Sequence, residues 1–101
     1  MSRLETFPRQ TWTVAELRAL RAEVDAALSA ALIAQDIVRS AMRFKSDPDV
    51  FYPSIVSAYR RFDLVIGRPV VNIALAADVP HSTAARWVRV ARSMGHLEAA
   101  S

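Results

Sequence analysis

The sequence predicts an all-α fold, in which a long N-terminal helix is followed by a three-helix bundle with no β wing. Thr13 and Glu16 form a capping box, and neither proline nor glycine follows them until Pro48. Apolar residues recur there at steps of three and four, which is the spacing of a helix that buries one face. Beyond Pro48, prolines and glycines divide the chain into shorter segments of helical length.

The first helix is expected to run from about Val14 to Phe44, a length of ~45 Å at ~1.5 Å per residue. This is longer than a domain of 101 residues requires, which favours a role in dimerisation. A break between Ala30 and Gln35, folding the segment into a hairpin, is the alternative. The predicted dimer interface is the main apolar stripe, spaced like a short coiled-coil seam: Leu17, Leu20, Val24, Leu28, Ala31 and Val38.

Two further helices are expected before the last one. Pro53 suits the first turn of a helix from about Tyr52 to Ile66, and Gly67 suits its end. Pro69 then opens a short helix rich in alanine. We therefore divide the chain into a flexible arm (residues 1–12), the long helix (residues 13–46) and a helical domain (residues 50–101).

Residues 72–97 predict a helix, a tight turn and a second helix. Small residues such as Ala74 and Ala76 allow a second helix to cross closely at a steep angle. The turn is Asp78-Val79-Pro80, with Val79 as the single apolar residue between the two helices. The second helix is predicted to span residues 80–94, with Ser or Thr near its N-cap and Gly95 after its end.

The two faces of this second helix differ in chemistry. At ~100° per residue, the predicted core face contains Ala84, Trp87, Val88, Ala91 and Met94. The opposite face contains Ser82, Ala85, Arg86, Arg89 and Ser93, with Arg92 on the flank. An ordinary solvated face would mix charges of both signs, because like charges one turn apart repel. The absence of acids here indicates an anionic partner.

This segment resembles the helix-turn-helix of bacterial repressors, resolvases and the sigma-like and winged-helix families. The resemblance rests on Ala74, Val79, Thr83 and Trp87. The stretch PHSTAARWVRVARSMGHL also resembles small actinobacterial and actinophage proteins with the pattern P-x-STAARWV-x-x-AR-x-x-G-x-L, which are generally taken to bind DNA. Asp78 departs from the glycine that is common in the turn, so the resemblance implies a left-handed backbone at Asp78, which aspartate tolerates better than most residues. Ala84 departs from the usual Val or Ile.

The resemblance implies that residues 50–101 form a helix-turn-helix DNA-binding domain. Side chains early in the second helix would then contact base edges: His81, Ser82, Thr83, Ala85 and Arg86. Arg86 is the favoured reader, since a guanidinium binds O6 and N7 of guanine with two hydrogen bonds. The alternative for His81 is that it is an exposed turn residue with no functional role. The candidate phosphate contacts are Arg68, Arg89, Arg92 and Ser93.

Charge is distributed unevenly along the chain. Residues 1–49 carry seven basic and seven acidic side chains, whereas residues 50–101 carry six arginines and three acids. The net charge of +3 therefore lies in the half with the motif, as expected for a nucleic-acid binder. Because one copy would neutralise few phosphates, tight binding is expected to need two copies.

Composition disfavours other functions. The chain has no cysteine, only two histidines and only two glycines, so it lacks the residues of a thiolate zinc site or a phosphate-cradling loop. We expect no enzyme activity, no cofactor, no metal and no small-molecule ligand. No apolar run approaches the ~18 residues of a membrane span, and residues 1–10 lack the apolar core of a signal peptide. We therefore expect a cytoplasmic, nucleoid-associated protein.

The function predicted from the sequence is a small dimeric transcriptional regulator that inserts the helix at residues 80–94 into the major groove of double-stranded DNA. Half-sites one helical turn apart, ~34 Å, would follow if two recognition helices are presented symmetrically. One alternative is a DNA-binding accessory protein of phage recombination or packaging. Another is a protein-interaction module whose helix-turn-helix is vestigial.

Overall fold

The computed structural model describes residues 12–97, which form four α-helices and no strand. Helix α1 spans Val14–Met42, α2 spans Pro48–Val65, α3 spans Pro69–Ala77 and α4 spans His81–Ser93. The all-α prediction is confirmed for this part of the chain. None of the four helices is long and apolar enough to cross a membrane.

Two predictions about the ends of the chain fall outside the described residues. They are the flexible arm, of which only Trp12 is described, and the absence of a wing after Leu97.

Helix α1 is one continuous helix of 29 residues, so the hairpin alternative is wrong. Thr13 is its N-cap, and the Thr13 hydroxyl accepts a hydrogen bond from the Glu16 amide at 3.1 Å. This bond satisfies one of the free amides in the first turn, as the capping box predicts. The helix ends at Met42, two residues before the predicted end.

The second half of α1 belongs to the same core as the shorter helices. Ala34, Val38 and Ala41 are buried on one face of α1, which packs against α2 and α3. The prediction that Val38 lies in a dimer interface is wrong, because its side chain is 0% exposed inside the core of a single chain. The predicted boundary between the long helix and the helical domain, near residue 50, therefore does not divide the core.

Helix α2 begins four residues earlier than predicted. The Asp47 carboxylate caps it by accepting a hydrogen bond from the Asp49 amide at 3.2 Å. Pro48 occupies the first turn, where a missing N–H costs nothing. Pro53 consequently lies inside the helix and not in its first turn.

An aromatic pair joins α2 to α4 at the centre of the core. The side chains of Phe51 and Trp87 are 1% and 3% exposed. Their ring centroids lie 5.1 Å apart with the planes at 87°, which is the edge-to-face geometry that aromatic rings prefer. Lys45 Nζ lies 5.6 Å from the Trp87 ring centroid, within range of a cation–π contact.

We predict that Phe51→Ala lowers the free energy of unfolding by about 3–5 kcal/mol, because it removes a buried ring and leaves a cavity beside Trp87. Urea denaturation followed by circular dichroism measures the change. Leu64→Ala is the control, since Leu64 is 89% exposed on the same helix and should change the stability by no more than about 0.5 kcal/mol. Equal losses for both variants would contradict the assigned core.

Candidate nucleic-acid interface

The turn between α3 and α4 has the backbone that the sequence predicts. Asp78 adopts a left-handed conformation with φ 56° and ψ 50°. The Val79 amide donates a hydrogen bond to the Ala74 carbonyl at 3.0 Å, which closes the end of α3. The Val79 side chain is partly buried against the core between the two helices. This turn sets the direction in which α4 leaves α3.

The two ends of α4 are defined differently. Pro80 is the N-cap and no side chain caps the helix, so the predicted Ser or Thr cap is wrong. At the other end Gly95 has φ 83°. The Gly95 amide donates to the Arg92 carbonyl and the His96 amide donates to the Ala91 carbonyl, each at 3.0 Å. This is a Schellman motif, which favours glycine because of its left-handed backbone.

The core face of α4 is largely as predicted. Its buried residues are Ala84, Trp87, Val88 and Ala91. Met94 was expected among them, but its side chain is 42% exposed. Met94 is the C-cap of α4, where the chain starts to turn away toward Gly95, and the cap therefore does not continue the buried face.

The outward face of α4 is open to solvent. The exposed candidate contacts are His81, Ser82, Arg86, Arg89 and Ser93, whereas Thr83 and Ala85 are half-buried. Helices α2 and α3 pack against α4, but α1 barely touches it. We name the exposed strip formed by Ser82, Arg86, Arg89 and Ser93 the α4 strip. No other described helix covers it.

Arg92 differs from the other candidate contacts because it packs against α2. Its Nη2 donates a hydrogen bond to the Tyr59 hydroxyl at 3.2 Å, and its guanidinium carbon lies 5.7 Å from the Tyr59 ring centroid. The side chain is half-buried, and its Nε is buried without a hydrogen-bond partner. A phosphate contact by Arg92 stays a prediction, and Tyr59 is the residue that holds its guanidinium. Sequence spacing gives no signal for this pair, which is 33 positions apart.

Two other candidate phosphate contacts have local partners. Ser93 Oγ donates to the Val90 carbonyl at 2.8 Å, a bond within the last turn of α4. Arg68 is exposed and lies at the N-cap of α3, with φ 49°. Its carbonyl accepts a hydrogen bond from Asn72 Nδ2 at 3.0 Å. The backbone, and not the side chain, of Arg68 is thus engaged.

In the part of the chain that the structure describes, no acidic side chain forms an ion pair with an arginine of the shorter helices. Among residues 12–97, the one ion pair within 4.0 Å joins Arg21 and Asp25 on α1, at 3.8 Å. Arg86 and Arg89 lie one turn apart without an acid beside them, and each therefore raises the electrostatic free energy of the other by a few tenths of a kcal/mol. An anion bound over the α4 strip would relieve this repulsion.

The described residues contain no group of three side chains that could hold a metal ion. Compared with known protein families, curated proteins and solved structures, the chain matches none. The resemblance to helix-turn-helix proteins therefore stays a prediction. The case for a function rests on the geometry of α3, the turn and α4.

We predict that Asp78→Val destabilises the protein by about 1–2 kcal/mol relative to Asp78→Gly, because a β-branched side chain opposes the left-handed backbone that glycine adopts freely. Thermal or urea denaturation of the two variants measures the difference. Asp78→Asn is the matched control and should resemble the native chain, since asparagine also tolerates this conformation. Identical stability of the Val and Gly variants would show that the turn is not left-handed in solution.

Proposed function

We propose that the chain is a sequence-specific DNA-binding protein, a small dimeric transcriptional regulator that inserts α4 into the major groove. The observation that carries this proposal is the α4 strip. It is exposed, it carries two arginines and no acid, and α1 leaves it uncovered. A helix supported from behind by a second helix at a tight turn is the element that helix-turn-helix proteins place in the major groove.

The side chains of the α4 strip fit two kinds of contact. Arg86 is exposed in the second turn of α4, and its fork of donors suits guanine O6 and N7. Ser82 lies nearer the start of the helix, where base contacts concentrate. Arg89 is exposed one turn further along and is assigned to a phosphate. His81 and Thr83 remain candidate base contacts at the same end.

Dimerisation is part of the same proposal. A single α4 strip reaches few phosphates, so two copies bound side by side would raise the affinity. Leu17, Val24 and Leu28 on α1 are 39%, 57% and 56% exposed, which supports an interface there. Nucleoid association would follow from DNA binding. A role in phage recombination or packaging would use the same α4 strip, whereas a protein-interaction module would use α1 alone.

Selection of bound sequences from a random DNA pool tests the proposal. We expect an enriched motif, symmetric if two copies bind. Arg86→Ala should then weaken binding to that motif by about 1–3 kcal/mol and leave binding to random DNA nearly unchanged. Arg39→Ala is the control, because Arg39 is also exposed but lies on α1. It should change neither affinity.

Arg89→Ala tests the phosphate contact separately. We expect it to weaken binding to all sequences alike and to reduce the slope of log affinity against log salt by about 1. Circular dichroism should show that every variant is folded, since each removed side chain is exposed. The proposal fails if no sequence is enriched, or if Arg86→Ala and Arg39→Ala have the same effect.

A further inference from the structure

The first half of α1 projects from the rest of the molecule. We name residues 14–30 the α1 arm; none of them is buried, and the molecule is 54 Å long but only 28 × 22 Å across. An isolated helix of about 17 residues is marginally stable in water. Since the arm also exposes Leu17, Val24 and Leu28, it has the properties of a helix that needs a partner.

A second apolar surface lies where the arm meets the helical body. It is a depression of about 170 Å³ between α1, α2 and α3, which we name the notch. Three large apolar side chains on its lining are Leu32, Ile66 and Leu75, which are 49%, 46% and 73% exposed. No residue that lines the notch lies on α4, and the function proposed above does not explain the exposed apolar side chains of the notch.

The two surfaces lie on the same side of α1. At ~100° per residue, Leu17, Val24 and Leu28 fall within about 40° of the direction of Gln35, which lines the notch. A helix packed along the apolar side of the arm would therefore have its end in the notch. One helical partner could thus cover the apolar side of the arm and the notch together.

We propose that this partner is a second copy of the chain, whose arm lies antiparallel to the first. The tip of each arm, at Trp12 and Val14, then reaches the notch of the other copy. This inference rests on the proposed dimer but not on the proposed DNA binding. It adds the orientation of the two arms and brings Leu32, Ile66 and Leu75 into the interface.

The position of the helical body decides the orientation. Beyond the arm, the stripe points toward Gln35, and there the end of α2 and α3 already lie beside α1, since Ile66 and Leu75 line the notch. A parallel partner would have to continue along α1 into that occupied space. An antiparallel partner ends there, because its arm has the same length as the free arm, about 25 Å at ~1.5 Å per residue.

Charge at the centre of the interface supports this arrangement. With the midpoint of the free arm between residues 22 and 23, Arg21 of one copy lies within one residue, ~1.5 Å along the axis, of the level of Asp25 of the other. Within one chain the two side chains are 3.8 Å apart. Two such pairs around a two-fold axis alternate in sign. Glu23 is exposed and lies ~120° from the apolar stripe on the same wheel, so it points away from the partner.

Sedimentation of the full chain without DNA tests whether a second copy binds. We expect a dimer, and we expect Val24→Glu and Leu75→Glu each to raise its dissociation constant at least tenfold. The matched controls are Ala26→Glu, on the opposite side of the arm, and Leu64→Glu, which is 89% exposed on α2. Both controls should remain dimeric. Dissociation by Val24→Glu but not by Leu75→Glu would overturn the role of the notch.

Cysteine cross-linking tests the orientation, and the absence of native cysteine makes it clean. In the antiparallel arrangement residue 17 lies opposite residue 28, so a mixture of L17C and L28C chains should form a disulfide-linked dimer under mild oxidation. Each variant alone should not, because its two copies are ~16 Å apart and a disulfide needs Cα atoms within ~7 Å. Efficient linking of L17C to itself would show parallel arms and overturn the proposal.

A monomeric native chain would overturn the proposal as well. If removal of residues 1–11 then produced a dimer, those residues would be the segment that covers the apolar side of the arm in the native chain. The outcome is independent of DNA: a dimer with no preferred DNA sequence retains this inference and refutes the proposed function, and a DNA-binding monomer does the reverse.

Discussion

The burial of Trp87 is the constraint on which the candidate interface depends. Its ring packs edge-to-face on Phe51, and this contact fixes the rotation of α4 about its own axis. Ala84 and Ala91, about one turn before and after Trp87, are fully buried and small enough to let α4 lie close to its neighbours. With that face inside, Arg86 and Arg89 can only point to solvent. The exposure of the two arginines in the α4 strip is thus a consequence of how the core is packed.

Small residues also explain why α1 has two unlike halves. Ala34, Ala41 and Ala58 are almost completely buried where α1 and α2 meet, so the axes of these helices can approach closely. The body formed by α2, α3 and α4 is short, and it covers only the second half of α1. The first half keeps an apolar spacing, but none of its residues is buried. The exposed stripe of the arm points toward Gln35 and the notch, roughly a quarter turn of the helix away from the buried face at ~100° per residue.

The sequence predicted what depends on local signals and periodicity. The capping box at Thr13, the left-handed Asp78 and the core positions of α4 other than Met94 are present, because each follows from a few neighbouring residues. The prediction failed where two local signals compete for the same helix end, or where the contact joins residues that are distant in the sequence. Pro48 and Pro53 are both acceptable starts for α2, and only the cap from Asp47 favours the first. Nothing in the spacing of Tyr59 and Arg92 shows that they meet, and Val38 has the same periodicity as the exposed stripe although it is buried.

The continuity of α1 links the two proposed surfaces mechanically. Because α1 is a single helix whose second half is fixed in the core, the direction of the arm is rigidly related to that of α4. The arm barely approaches α4, so a partner on the arm leaves the arginines of the α4 strip accessible. In an antiparallel pair the two bodies would lie at opposite ends of an arm of about 25 Å. The length of an uninterrupted helix would then set how far apart the two copies of α4 lie.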